Sequence, residues 1–187
     1  SSGRCRRNGG GILVYGEATI SGTTISQNEV RSYFEWFSYE MHLGMGGGVG
    51  NEGTTLIVNS TISDNYAAVG GGLGNFGYGE MTVIHSTVTG NHAVTAEDPV
   101  DGYLTGGYGG GFSSGPDYDR VSESSTTIKG VILSGNNADD VAPQAFVHGS
   151  ASITVNAFNI FGQNGNAGLV GFSKGATDIV PAVGLSA

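Results

Sequence analysis

Leu56-Ile57-Val58-Asn59-Ser60-Thr61-Ile62-Ser63-Asp64-Asn65, followed after Tyr66-Ala67-Ala68-Val69 by Gly70-Gly71-Gly72-Leu73, decides the fold of this chain. Both steps recur. The glycine step returns as Gly9-Gly10-Gly11-Ile12, Gly46-Gly47-Gly48-Val49 and Gly109-Gly110-Gly111-Phe112. The second step returns as Thr24-Ile25-Ser26-Gln27-Asn28, Thr87-Val88-Thr89-Gly90-Asn91 and Ile132-Leu133-Ser134-Gly135-Asn136. Ile12 to Ile25 is 13 residues, and Val49 to Ile62 is 13. Leu73 to Val88 is 15 and Phe112 to Leu133 is 21, so those rungs carry insertions. A fifth, degenerate rung runs from Val147 to Ile160, again 13. Self-similarity of this kind marks a repeat architecture.

Two further columns support the alignment. Five residues before the Ile/Val/Leu of the second step stand Ile20, Ile57, Val83, Ile128 and Val155. Seven before stand Ala18, Thr55, Met81, Thr126 and Ile153. The pattern reads as three short strands per rung. The step of five is odd, so a corner must reset the in-out alternation before the last strand. Gly22, Asn59, His85, Gly130 and Ala157 occupy that corner. Gly48 to Gly72, the one uninterrupted rung, is 24 residues. That suits a parallel β-helix, whose turns stack at ~4.8 Å. The expected fold is all-β: a parallel β-helix of about five turns in one domain, 1–187. Its rungs lie near 8–45, 46–69, 70–108, 109–143 and 144–187. Asn28, Asn65, Asn91 and Asn136 form a column expected to act as a structural ladder, because stacked amides bond from rung to rung and Asn tolerates left-handed backbone at a corner.

Composition narrows the function classes. Gly is 35 of 187 residues, without the three-residue period of collagen. Net charge is −9 with only 7 Lys plus Arg, which argues against a nucleic-acid partner. The single cysteine, Cys5, cannot form an internal disulfide. No apolar run is long enough for a membrane span, and no signal peptide is expected. The acidic, Cys-poor, Ser/Thr/Asn/Gly-rich character suits a secreted bacterial protein. Residues 1–8 read as the tail of an earlier rung, with Ser2-Gly3-Arg4-Cys5 laid over the Ser-Gly-Asn-x-Ala of later ones.

The insertions depart from the repeat. Glu29 to Met45 holds five of the 17 aromatics and the only tryptophan. Val30, Tyr33, Phe34, Phe37 and Met41 follow helical spacing, so a short helix or a loop is expected at 29–45. Tyr33, Phe34, Trp36, Phe37 and Tyr39 are the candidate interface, since rigid aromatics dominate contact surfaces. A second insertion, His92 to Tyr108, holds Glu97, Asp98 and Asp101. It leaves the same corner, and the two are expected to pack above the short return between them. A third, Ser113 to Ser125, holds Asp117, Asp119, Arg120 and Glu123. The final Asp178-Ile179-Val180-Pro181 reads as a closing strand.

Asn59-Ser60-Thr61-Ile62-Ser63-Asp64-Asn65-Tyr66-Ala67 with Gly70-Gly71-Gly72-Leu73 resembles the secreted bacterial right-handed parallel β-helix repeat proteins related to the polymorphic outer-membrane protein repeat. Asn159-Ile160-Phe161-Gly162 with Asp178-Ile179-Val180 resembles how such arrays finish. The resemblance covers residues 8–165. It implies a right-handed solenoid, secreted or on the bacterial cell surface, used in adhesion or envelope architecture. It carries no catalytic set. The aromatic insertion is not part of its pattern.

Catalysis on a β-helix needs clustered acids, often with Ca²⁺. Asp117, Asp119 and Glu123 are the candidate metal ligands, and Ca²⁺ the only cofactor considered; Asp139 and Asp140 form a further acidic pair. His42, His85, His92 and His148 lack metal-ligand spacing. The Asn59-Ser60-Thr61 glycosylation signal is the repeat motif itself. The first reading is a non-enzymatic structural or adhesive solenoid that associates with itself end to end as a filament subunit. The second is a polysaccharide-binding or -cleaving enzyme, with glycans as partner. The third is an ice-binding solenoid, from the hydroxyl rows Thr24, Thr61, Thr87 and Ser26, Ser63, Thr89.

Overall fold

The computed structural model describes residues 9–115, 123–156, 158–163 and 165–182. Every regular element among them is a strand, and no helix forms. Three parallel sheets dominate. The first joins Ile12–Val14, Val49–Asn51, Leu73–Asn75, Phe112–Ser114, Ala145–Val147 and Leu169–Val170. The second joins Glu17–Ser21, Thr54–Val58, Glu80–Ile84, Ser125–Lys129 and Ser152–Asn156. The third joins Thr24–Ser26, Thr61–Ser63, Thr87–Thr89, Ile132–Leu133 and Ile160–Phe161. The chain visits the three in the same order on each pass. This parallel stacking fits a β-solenoid.

Ile20, Ile57, Val83, Ile128 and Val155 pair in register, as do Ala18, Thr55, Met81, Thr126 and Ile153. Ile57, Ile62, Val83 and Val88 are buried in one core with Val49, Leu73 and Phe112. The corner between the second and third sheets is left-handed at Gly22, Asn59, His85 and Gly130, with φ of 59°, 50°, 46° and 60°. That backbone sets the next strand's alternation, and the third-strand apolar residue turns inward again. Ala157 lies outside the described residues; its neighbour Phe158 has φ of 70°.

The fifth rung departs from the expected register. Phe112 pairs with Ala145, not Val147, and Leu133 pairs with Phe161, not Ile160. Val155 to Phe161 is one residue longer than Ile128 to Leu133. The extra corner residue moves Phe161 into the core and leaves Ile160 half-buried. Beyond it, Ile179 bridges Ile160 and accepts a bond from Phe161 N (2.9 Å), so the last described segment continues the third sheet.

The triple glycine has a separate reason at each place. Gly70 has φ of 64°, a region costly for residues with a Cβ. A Cβ on Gly71 would lie 2.5 Å from the His92 carbonyl group. A Cβ on Gly72 would lie 2.9 Å from the Asn91 amide. The first glycine thus serves the turn, the second the approach of the next rung, and the third the seat of the asparagine.

Three polar columns run through the stack. Asn28 N and Nδ2 donate to Asn65 Oδ1 (3.0 and 2.9 Å), Asn65 to Asn91 Oδ1 (3.0 and 2.9 Å), and Asn91 to Asn136 Oδ1 (3.1 and 3.0 Å). Asn136 Nδ2 donates to Gln144 Oε1 (2.8 Å). The left-handed residue is the one before each asparagine: Gln27, Asp64, Gly90 and Gly135. A second column lies at the corner between the first and second sheets. There Thr55 Oγ1 donates to Asn51 Oδ1 (2.7 Å), Asn51 Nδ2 to Asn75 Oδ1 (2.8 Å), and Asn75 Nδ2 to Thr126 Oγ1 (2.8 Å). In the third, Thr23 N donates to Ser60 Oγ (3.2 Å) and Ser60 N to Ser86 Oγ (3.1 Å). Further on, Val131 N donates to Asn159 Oδ1 (2.9 Å) and Asn159 N to Asp178 Oδ1 (2.8 Å). Each column gives buried backbone and amide groups the partners that water supplies elsewhere.

The insertion at 29–45 is not helical. Tyr33–Glu35 and Glu40–His42 pair antiparallel across a turn that holds Trp36, Phe37, Ser38 and Tyr39. Its apolar residues fit a helical period over a span too short to exclude alternation. Aromatic residues favour a pleated, half-buried surface, and the cross-strand pairs Tyr33–His42 and Phe34–Met41 secure the hairpin. The second insertion also forms a hairpin, Thr95–Glu97 with Leu104–Gly106.

Candidate interaction surface

The 33–42 hairpin has two chemically distinct faces. On one, Tyr33 stacks on His42 with centroids 4.8 Å apart, and His42 Nε2 lies 3.4 Å from Glu35 Oε2 and 4.0 Å from Glu40 Oε2. His42 Nε2 is buried and makes no hydrogen bond at that geometry. Glu35 and Glu40 stand directly opposite each other, an unfavourable pairing of like charges. On the other face, Phe34 meets Trp36 edge-on at 5.0 Å and 75°, and Tyr39 at 6.4 Å and 80°. Trp36, Phe37 and Tyr39 at the tip are 66%, 97% and 70% exposed, whereas Tyr33 and Phe34 are half-buried. The five aromatics therefore divide between a packed base and an exposed tip.

The hairpin roots lie on either side of the short return. Ala68 N donates to Gly44 O (2.9 Å), while Ala68 O accepts from Gly107 N (2.8 Å). Hairpin one thus leaves the rung below Ala68 and hairpin two the rung above it, roughly 10 Å apart at two rung spacings. Val30 and Gly44 are buried at the first root, where a Cβ on Gly44 would meet Val30.

The acids of the second insertion shape its turn. Val100 N donates to Asp98 Oδ1 (2.8 Å) and Tyr103 N to Asp101 Oδ1 (3.0 Å). Glu123 is exposed. Asp117, Asp119 and Arg120 lie outside the described residues, and no group of three metal-ligating side chains occurs among those described. The hydroxyl row Thr24, Thr61, Thr87 continues in register as Ile132 and Ile160.

Sequence spacing did not reveal the pair His92 and Asp139, 47 residues apart, with Nε2 and Oδ1 2.7 Å from each other. Asn137 Nδ2 lies 3.1 Å from the same nitrogen, and the Tyr66 ring lies 5.8 Å from the imidazole. Asp139 Oδ2 accepts from Thr95 N (3.0 Å), which fixes the start of the second hairpin. Partial burial pushes the Asp139 carboxyl up, but the Thr95 backbone N–H, the His92 ring and the Thr95 hydroxyl outweigh it and hold it below its ordinary range. A depressed folded value stabilises the fold above the unfolded carboxyl value of ~3.9 and ceases to do so as pH falls through the folded value. Asp139→Asn is therefore expected to cost up to about 1 kcal/mol at pH 7, small because the pair is solvent-screened. The difference should shrink below about pH 4. Urea unfolding of both forms at pH 7 and pH 3 checks it; an equal gap at the two pH values would show that the charge is not the cause.

No helix among the described residues is long and apolar enough to cross a membrane. Comparison with protein-family models, with curated proteins and with solved structures gives no match.

Proposed function

We propose that this chain is a right-handed parallel β-helix of about five turns, secreted or displayed on a bacterial surface, that serves without catalysis as a structural and adhesive element. The resemblance of its rungs to the polymorphic outer-membrane protein repeat supports this reading. So does the near-universal right hand of parallel β crossovers. The observation that carries it is the exposed Trp36-Phe37-Tyr39 tip on a hairpin rooted in a stack of buried ladders. A rigid rod holds such a tip at low entropic cost, which is what a contact surface requires. Self-association in this reading is end to end, and rungs of two copies pair through backbone groups as strands do within one chain. The test is sedimentation with negative-stain electron microscopy across a concentration series. Self-association into rods longer than one chain is the expected result. A monomer at the highest soluble concentration would remove self-assembly from the proposal.

The polysaccharide-active reading keeps one observation in its favour, the His92–Asp139 pair beside Tyr66. Product release from a panel of neutral and acidic polysaccharides, lost in His92→Ala, would favour it over the adhesive role.

A further inference from the structure

We propose that the two hairpins form one docking surface for a basic polypeptide segment, whose lysine and arginine side chains lie over Trp36 and Tyr39 and pair with the flanking acids. This deepens the adhesive reading and rests on it. Area is the first ground. Taking ~200 Å² for each aromatic side chain, the exposed parts of Trp36, Phe37 and Tyr39 offer about 450 Å². A stable protein interface takes about 600–1,000 Å² from each partner, so one hairpin is too small. Tyr103 and Leu104 on the second hairpin are 75% and 67% exposed. They bring the total to about 700 Å² on the same scale. The roots of the two hairpins leave the same side of the stack, on either side of Ala68 and roughly two rung spacings apart, within the span of a short peptide.

Charge is the second ground. Glu35 and Glu40 close the first tip from its Tyr33–His42 face, behind the aromatic cluster, and Glu97 and Asp101 belong to the second hairpin; all four are exposed. The whole chain carries −9. Aromatic tips backed by acids on both hairpins repel acidic glycans, anionic lipid and a second copy presenting the same surface. It attracts a cation, and aromatic faces add cation–π attraction that is strongest for tryptophan.

Trp36 is the only tryptophan in the chain, so its fluorescence reports directly on the tip. The experiment titrates full-length protein with a 12-residue peptide alternating lysine and leucine. Parallel titrations use its glutamate-for-lysine counterpart, a neutral chito-oligosaccharide and phosphatidylcholine vesicles. The expected result is a blue shift and protection from acrylamide with the basic peptide alone. Affinity should fall at least tenfold in Tyr103→Ala/Leu104→Ala and in Glu35→Gln/Glu40→Gln, with far-ultraviolet circular dichroism unchanged. No shift with the basic peptide, or an equal shift with its acidic counterpart, would overturn the proposal. Undiminished affinity in Tyr103→Ala/Leu104→Ala would overturn the two-hairpin surface. A shift with the oligosaccharide or vesicles alone would overturn the basic partner while leaving the adhesive role intact. Loss of every response, with hydrolysis of the oligosaccharide, would overturn both.

Discussion

Asn91→Ala is expected to destabilise the chain by about 3–5 kcal/mol, because it orphans several buried groups at once. Asn91 is fully buried. Its Oδ1 accepts from both Asn65 N and Asn65 Nδ2, and its Nδ2 reaches Ile62 O (2.9 Å), Thr89 O (3.0 Å) and Asn136 Oδ1. Alanine removes all of these and brings no water into a site closed by Gly72 and the next rung. Each stranded buried donor or acceptor costs about 1–3 kcal/mol, partly relieved by local shifts. Asn28→Ala should cost less, since Asn28 is half-exposed and only donates along the ladder. Exposed Asn137→Ala should stay within about 0.5 kcal/mol. Urea midpoints for the three variants check the order. If Asn91→Ala behaved like Asn137→Ala, the ladder would not be what secures the rungs.

Gly71→Ala should cost about 3 kcal/mol, for a steric and not a polar reason. The added Cβ would lie 2.5 Å from His92 C and O and 2.6 Å from Gly110 O. All three atoms are backbone, so no side chain can rotate away. The rungs must part there, and the parting disturbs Gly72 N to Gly110 O (3.0 Å) and Leu73 N to Gly111 O (2.9 Å). In a stack where each rung contacts only its neighbours, such a break divides the molecule. Gly16→Ala is the matching control: a Cβ there meets nothing within 4 Å, and its φ is not positive. That substitution should be neutral or slightly stabilising. Thermal unfolding and limited proteolysis of both variants give the comparison. An unchanged midpoint for Gly71→Ala would contradict the close approach of rungs at that residue.

The rungs were legible in the sequence because buried columns repeat chemistry as well as spacing. Ile20, Ile57, Val83, Ile128 and Val155 align by eye and pair in register. The fifth rung misled by one and two residues because its corner is longer and its triple glycine is lost, so nothing pinned the alignment there. The sequence at 29–45 points to a helix or loop because Tyr33, Phe34, Phe37 and Met41 satisfy helical spacing, while strand pairing leaves no trace in a lone segment. The Asn51 and Asn75 column does carry a sequence signal: Val49-Gly50-Asn51 and Leu73-Gly74-Asn75 follow the glycine step identically. Gly74 itself is covered by the Phe76 ring, which turns back over the sheet's outer face. His92 and Asp139 had no such signal, because a contact across two rungs depends on insertion lengths that sequence spacing does not constrain.

All three polar columns point the same way. Between successive column members the lower rung gives the hydrogen, from Asn28 toward Asn136, from Asn51 toward Thr126, and from Thr23 toward Ser86, while Asn65, Asn91 and Asn136 Nδ2 also donate back to the carbonyls of Ile25, Ile62 and Val88. The side-chain ladders are therefore directional, although the rungs resemble one another in sequence. Gln144 Nε2 returns a bond to Asn136 O (3.3 Å), and both Asp178 side-chain oxygens accept, from Asn159 N and Gly175 N. Two copies meeting end to end would keep one direction in these columns only if they met head to tail. A rod of copies stacked in that sense would inherit one direction along its whole length, and copies meeting like end to like end would reverse it at the joint.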